Sequence, residues 1–296
     1  MEHNIGENLE TVSPNTCDTT ARSIALALTA ILFMANIFAI LFVLIFPNLV
    51  AFTSLMIYIL AIPLGYILIR KLPITTWQTT ELGGGGFIKA LCICVFLSIL
   101  GSVIGNYVVL LLEMLVGQSI PSPVASVFSE QYLWFSIVLV LILAPVVEEL
   151  LFRKVIIDRL AQFGKWNCIL FSGLTFGLFH GNFSQFFYAF FVGIALAYVY
   201  YQTRKIWIPI VLHAIINGIG VMSRFVALGM DLEPLVSIYS LLLFVSILLG
   251  LIFFIVAIVK LIRRKDFDRI RGASFGNLGM IAFYVITAVL FVLNTL

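Results

Sequence analysis

The chain is a succession of long apolar runs separated by short basic or polar breaks, and this pattern leaves it few possible folds. Nine runs, roughly 23–46, 50–69, 87–113, 133–157, 166–180, 185–202, 206–223, 236–260 and 276–295, carry very little charge. About 20 apolar residues make a helix that crosses the hydrocarbon core of a bilayer. In lipid, backbone groups must be satisfied inside the protein, so such runs become helices or the strands of a closed barrel. Barrel strands alternate polar and apolar residues over segments of ~10 residues, and no such alternation occurs here. Only 10% of the residues are charged, against about 25% in a soluble domain. The expected fold is an all-α polytopic membrane protein. It is a helical bundle of about nine transmembrane helices, or eight if one segment is re-entrant.

Basic residues orient the bundle through the positive-inside rule. Arg22 precedes the first run, and Arg70, Lys71 and Lys89 flank the second loop. Lys154, Arg159 and Lys165 follow the fourth run, Arg204 and Lys205 the sixth, and Lys260, Arg263, Arg264, Lys265, Arg269 and Arg271 the eighth. The remaining loops hold only Arg224, with Glu130, Asp231 and Glu233. A multi-pass protein with a cytoplasmic N-terminus fits this alternation, and a bacterial plasma membrane is the expected location.

Residues 1–22 form a polar tail with Glu2, Glu7, Glu10 and Asp18, and lack the basic start of a cleavable signal. The chain then divides into N-terminal helices over 23–129, a chemically distinctive core over 130–222, and C-terminal helices with a basic loop over 223–296. Loop 72–86 ends in Gly83–Gly86, with no Lys-Ser/Thr after it and no strand before it, so it reads as a flexible connector rather than a phosphate loop. The stretch 260–275 is basic with interspersed Phe and Ile and reads as an ordinary positive-inside loop, with a place on an anionic leaflet surface as the alternative. Cys17, Cys92, Cys94 and Cys168 form no CxxC pair and read as small buried apolar residues.

Against this apolar background a few ionisable residues stand out. Glu148 and Glu149 are adjacent within LILAPVVEELLFRKVII, residues 141–157. Carboxylates at membrane depth are costly and mark function more often than chance. Arg153 lies one helical turn after Glu149 and is placed to pair with it, which leaves Glu148 without a local partner. His180 and His213 lie in other apolar runs, with Phe176 four residues before the first and Asn217 four after the second. Measured from the nearest basic residue, Glu148 lies about 16 Å deep, His213 about 12 Å and His180 about 22 Å, at 1.5 Å of rise per residue. Three helices can therefore bring these groups together. Pro145 removes a backbone bond just before the glutamates and is expected to bend that helix beside Glu148.

Two chemistries suit the set. A carboxylate beside a histidine can activate a water, while a histidine and an asparagine on one helical face stabilise an oxyanion. Alternatively, Glu149, His180 and His213 supply a His2Glu zinc set with one open position. No serine or cysteine has a comparable context, so the nucleophile expected is water. Each residue alone has a structural explanation: an ion pair, a packed histidine, an amide bridging helices. Their conjunction on three segments favours a site.

The motifs EELLFR (Glu148–Arg153), FGLFH (Phe176–His180) and HAIIN (His213–Asn217) resemble the EExxxR, FxxxH and HxxxN/D pattern of the CPBP intramembrane proteases. That family includes the CAAX prenyl endopeptidases of the Rce1 type and the bacterial Abi and bacteriocin-immunity proteins. The run 180–198, HGNFSQFFYAFFVGIALAY, is also similar to bacterial members. The resemblance implies a buried site among the fourth, fifth and seventh helices. It implies that Glu148 activates the water beside His180, that His213 and Asn217 bind the oxyanion, and that Glu149, Arg153 and Phe176 support them. It implies an intramembrane endopeptidase acting on a membrane-associated or prenylated (CAAX-type) protein or peptide, with zinc as the second mechanism. The alternative is a non-catalytic immunity protein that sequesters a toxin on the same fold. A proton-coupled transporter would also use buried carboxylates, but no inverted repeat is apparent. The partners expected are membrane lipid and a peptide or protein substrate, with no nucleic acid. A nine-span count and the long basic loop are less typical of the family.

Overall fold

The computed structural model describes residues 14–46, 52–120, 133–227, 233–265 and 272–295. The acidic start of the tail, Glu130, Asp231, and Arg269 and Arg271 of the basic loop lie outside the described residues. Each of the nine apolar runs folds as a helix. They are α1 (Pro14–Ile45), α2 (53–69), α3 (Gly84–Val116), α4 (Leu133–Phe163), α5 (Lys165–Phe179), α6 (Phe183–Thr203), α7 (Trp207–Ala227), α8 (Glu233–Arg264) and α9 (Leu278–Leu293). A single helical turn, Ala273–Gly276, precedes α9. No strand occurs among the described residues. Helices α1, α3, α4, α6 and α8 are long and apolar enough to cross a membrane, while α2, α7 and α9 contain shorter apolar helices. With 15 residues, α5 rises only about 22 Å, short of a bilayer core of ~30 Å.

The end of α5 is written into HGN. Gly181 takes a left-handed φ of 65° that ends the helix cheaply, and Asn182 caps the next one, its Oδ1 accepting from Gln185 N at 3.0 Å. Because α5 is short, this turn and His180 stay beside the body of the bundle.

Two apolar clusters hold the helices together. One joins α1, α2, α4, α5, α6 and α9 through residues such as Ile24, Ile62, Phe152, Phe171 and Phe283. The other joins α3, α6 and α7 through Cys94, Val95, Leu196, Leu212 and Ile216. Helix α6 belongs to both. It crosses α3 at Gly101, where a Cβ would collide with the backbone of Tyr188, so glycine is what allows this close approach. The four cysteines are buried and none is in a disulfide.

The glycine-rich connector differs from the flexible loop its composition suggests. Thr75 N donates to Asp158 O (2.7 Å), Thr80 N to Gln202 O (2.7 Å), and Trp77 Nε1 to Tyr201 O (2.6 Å). The Trp77 ring stacks on Tyr201 at 5.1 Å, and the Arg204 guanidinium lies 4.7 Å from its centroid. The strap is held by partners distant in sequence, which local composition does not reveal. Gly83 caps α3 and Gly84–Gly86 form its first turn, so these glycines start a helix.

Candidate active site

Helix α4 carries the glutamates in unusual geometry. The six α-helical residues Ala144–Glu149 lie between two π-helical segments, Leu139–Leu143 and Leu150–Val155. A π turn is usually a single local insertion and is frequent at functional sites. The first has an identifiable cause. Ala144 N bonds Leu139 O, five residues back, so the next bond in that register would run from residue 145 to Val140 O. Residue 145 is proline and has no N–H. Asn217 of α7 supplies the missing donor, with Nδ2 2.9 Å from Val140 O. The bend expected at Pro145 is thus a π turn braced from a neighbouring helix, and one hydrogen of the Asn217 amide is committed to it.

Arg153 and Glu149 are both fully buried and form an ion pair, Nε to Oε2 at 2.8 Å, off hydrogen-bond geometry. Arg153 Nη1 donates to Ser172 Oγ at 3.3 Å, and Ser172 donates onward to Phe152 O at 2.8 Å. The guanidinium also lies 4.6 Å from the Phe176 ring centroid, a buried cation–π contact.

The other oxygen of Glu149 reaches across to α7. His213 Nδ1 is 2.9 Å from Glu149 Oε1, while its Nε2 is 3.8 Å from Glu148 Oε2. An ionised carboxylate only accepts, so Nδ1 carries the proton in this pair, and Nε2 of a neutral ring is an acceptor turned toward Glu148. The second oxygen of Glu148 is held from α2, where Tyr58 OH donates to Oε1 at 2.7 Å.

His180 caps α5, with Nδ1 2.9 Å from Phe176 O. That carbonyl can only accept, so Nδ1 is the donor. Among the described residues its Nε2 takes no hydrogen bond. Phe176 contacts both histidines edge-on, at 5.0 Å from His180 and 5.7 Å from His213, and so sets the space between their rings. Glu148, Glu149, Arg153, Phe176, His180 and His213 are therefore assembled in one place, and Asn217 adjoins them through Val140.

These same residues fall in the part of the chain that has known relatives. Residues 130–219 match the family described as "Type II CAAX prenyl endopeptidase Rce1-like". This segment, 90 of the 296 residues, is therefore similar to that family of membrane peptidases. A curated relative, "Putative membrane peptidase YdiL" of Bacillus subtilis (strain 168), is 32% identical over 96 residues, which cover 31% of this chain and 36% of the relative. The match thus spans about a third of that relative's length. No solved structure matches the chain.

The three candidates for a zinc set, Glu149, His180 and His213, all lie within the matched segment. No three His, Cys, Asp or Glu side chains among the described residues surround a common point suited to a metal. Glu149 is engaged by Arg153 and His213, and only Nε2 of each histidine is left for a further ligand.

Sequence reasoning does not find Tyr58, Ser172 or the π segments. Ser172 is visible as a polar residue eight before His180, yet serines are common in packed membrane helices. Tyr58 gives no signal, because it lies in an ordinary apolar run 90 residues before its partner. Asp158 is equally inconspicuous, one residue beyond the apolar run ending at 157, although its side chain is buried.

Proposed function

We propose that the protein is an intramembrane endopeptidase in which Glu148 activates a water to hydrolyse a peptide bond of a membrane-associated substrate. The observation that carries this reading is the facing pair of acceptors, Glu148 Oε2 and His213 Nε2, 3.8 Å apart. A water at ~2.8 Å from both would see them about 85° apart, near its own H–O–H angle, and would donate one hydrogen to each. Such a water points its lone pairs away from the two acceptors, toward an incoming carbonyl carbon.

The steps follow from the residues. Glu148 takes a proton from the water as the oxygen attacks the carbonyl carbon. Glu149 keeps the His213 ring in one orientation, as the carboxylate of a catalytic triad does, and Arg153 holds Glu149. Oxyanion charge falls to groups able to donate: the remaining Asn217 amide hydrogen, or a histidine Nε2 once protonated. Glu148 then returns its proton to the leaving amine. No step in this scheme requires zinc, and metal content of the purified protein with its activity in chelator tests the zinc mechanism directly.

The positive-inside rule supports placing the end that bears Lys154, Lys165, Arg204 and Lys205 in the cytoplasm, with the N-terminus, in a bacterial plasma membrane. The family description makes a prenylated CAAX-type peptide the first substrate to assay. The test is cleavage of that peptide, and of a panel of membrane-inserted peptides, by protein in liposomes. Cleavage by the parent that disappears in Glu148→Gln supports the proposal. A Glu148→Gln protein that cleaves as well as the parent overturns it. If neither cleaves and both protect cells equally against a bacteriocin, the non-catalytic reading replaces it.

A further inference from the structure

One contact to the reactive carboxylate comes from outside the family-matched segment. Helix α2 is interrupted by a π segment, Met56–Ala61, and Tyr58 lies within it. Every π segment among the described residues therefore either carries a group that touches Glu148 or adjoins the short α-helical segment Ala144–Glu149 that bears it. A π turn inserts one residue and re-aims the side chains around it. Here it directs a tyrosine into the bundle, where the hydroxyl needs a partner once its ring is buried in apolar surroundings. The partner it finds is Glu148 Oε1, at 2.7 Å.

We propose that Tyr58 is a positioning residue for the base, fixing the Glu148 carboxylate so that Oε2 faces His213 and the attacking water. This rests on the reading of Glu148 as general base. A glutamate side chain has three rotatable bonds and its carboxylate turns freely about the last of them. Arg153, the nearest cation, is committed to Glu149, so it does not fix Glu148. The Oε2–His213 approach at 3.8 Å is too long to fix the carboxylate by itself. The short charge-assisted bond from Tyr58 supplies that constraint, as hydrogen bonds to an ionised acceptor are among the stronger ones. Residues 130–219 thus hold the base and its histidine, and an N-terminal helix holds the base still.

The test uses the full chain in liposomes and a peptide whose cleavage is lost in Glu148→Gln. Tyr58→Phe removes only the hydroxyl. Its kcat is expected to fall about 10- to 100-fold, the loss of one hydrogen bond to a charged group, with KM changed less than about twofold. Thermal unfolding of Tyr58→Phe should shift no further than that of Tyr200→Phe, which loses an equivalent bond to Asp158. An unchanged kcat overturns the proposal. So does a raised KM at constant kcat, which would make Tyr58 a substrate-binding group. Failure of the general-base reading shows itself elsewhere, as cleavage that survives Glu148→Gln. Placement is read without any substrate by bridging Tyr58→Cys and Glu148→Cys in one chain with a short bifunctional thiol reagent. Mass spectrometry should find the linked peptides in the double variant and not in either single one, and their absence from a folded double variant overturns the contact.

Discussion

Helix α4 buries two acidic sites ten residues apart, and they are built in opposite ways. Asp158 is engaged on both oxygens. Its Oδ1 accepts from Tyr200 OH at 2.8 Å, its Oδ2 from Lys154 Nζ at 2.6 Å, and Arg204 Nη2 stands 3.6 Å from Oδ2. The neighbouring Arg159 spends its donors on backbone carbonyls of Ile69, Arg70 and Val155, tying α2 to α4. Glu148 has a single hydrogen bond, to Tyr58, and its other oxygen faces a histidine nitrogen beyond bonding distance. Both carboxylates are shielded from solvent, so burial alone does not tell function from structure. What separates them is unused acceptor capacity. Asp158 accepts a hydrogen bond on each oxygen, whereas Glu148 Oε2 and His213 Nε2 face each other unbonded.

The contrast yields a ranked set of expectations. Glu148→Gln preserves shape but removes the proton acceptor. Cleavage in liposomes should fall about 100- to 10,000-fold while thermal unfolding is unmoved. A comparable loss of activity from Asp158→Asn in folded protein would erase the distinction. Arg153→Leu should come next. It strands Glu149 in the apolar core, and unfolding in detergent should report about 3–5 kcal/mol of lost stability. Asp158→Ala leaves the buried Tyr200 hydroxyl without its acceptor. It should cost about 2 kcal/mol and leave the kcat of the folded fraction close to the parent's. Tyr200→Phe, which removes one bond to Asp158, should cost about 1 kcal/mol and leave activity alone. If Tyr200→Phe lowered kcat as strongly as Tyr58→Phe, the two acidic sites would be one network.

How far the sequence foretells this arrangement depends on how local each signal is. Hydropathy is local, and all nine runs reappear as helices in order. Ionisable residues in apolar runs are also conspicuous, so Glu148, Glu149, Arg153, His180 and His213 stand out in the sequence by themselves. The Glu149–Arg153 pair follows from helical spacing, even though the backbone between them is π rather than α. Long-range partners leave no such trace. Nothing around residue 58 points to residue 148, and nothing around residue 217 says that its amide replaces the N–H missing at Pro145. The strap over 72–83 suggests flexibility because glycine and threonine are read for backbone freedom, yet its bonds reach residues more than 80 positions away. Asp158 escapes notice because its burial is conferred by Tyr200 and Arg204, from the far end of α6.

The spacing of these contacts also fixes when the site comes into being. Tyr58 is synthesised 90 residues before Glu148, and Glu149 must wait a further 64 for His213. At ribosomal rates of about 5–20 residues per second, the chain spends several seconds in the membrane with a glutamate pair and no histidine from α7 beside it. With His213 on the seventh helix, the cluster around Glu149 closes only after most of the helices have been made.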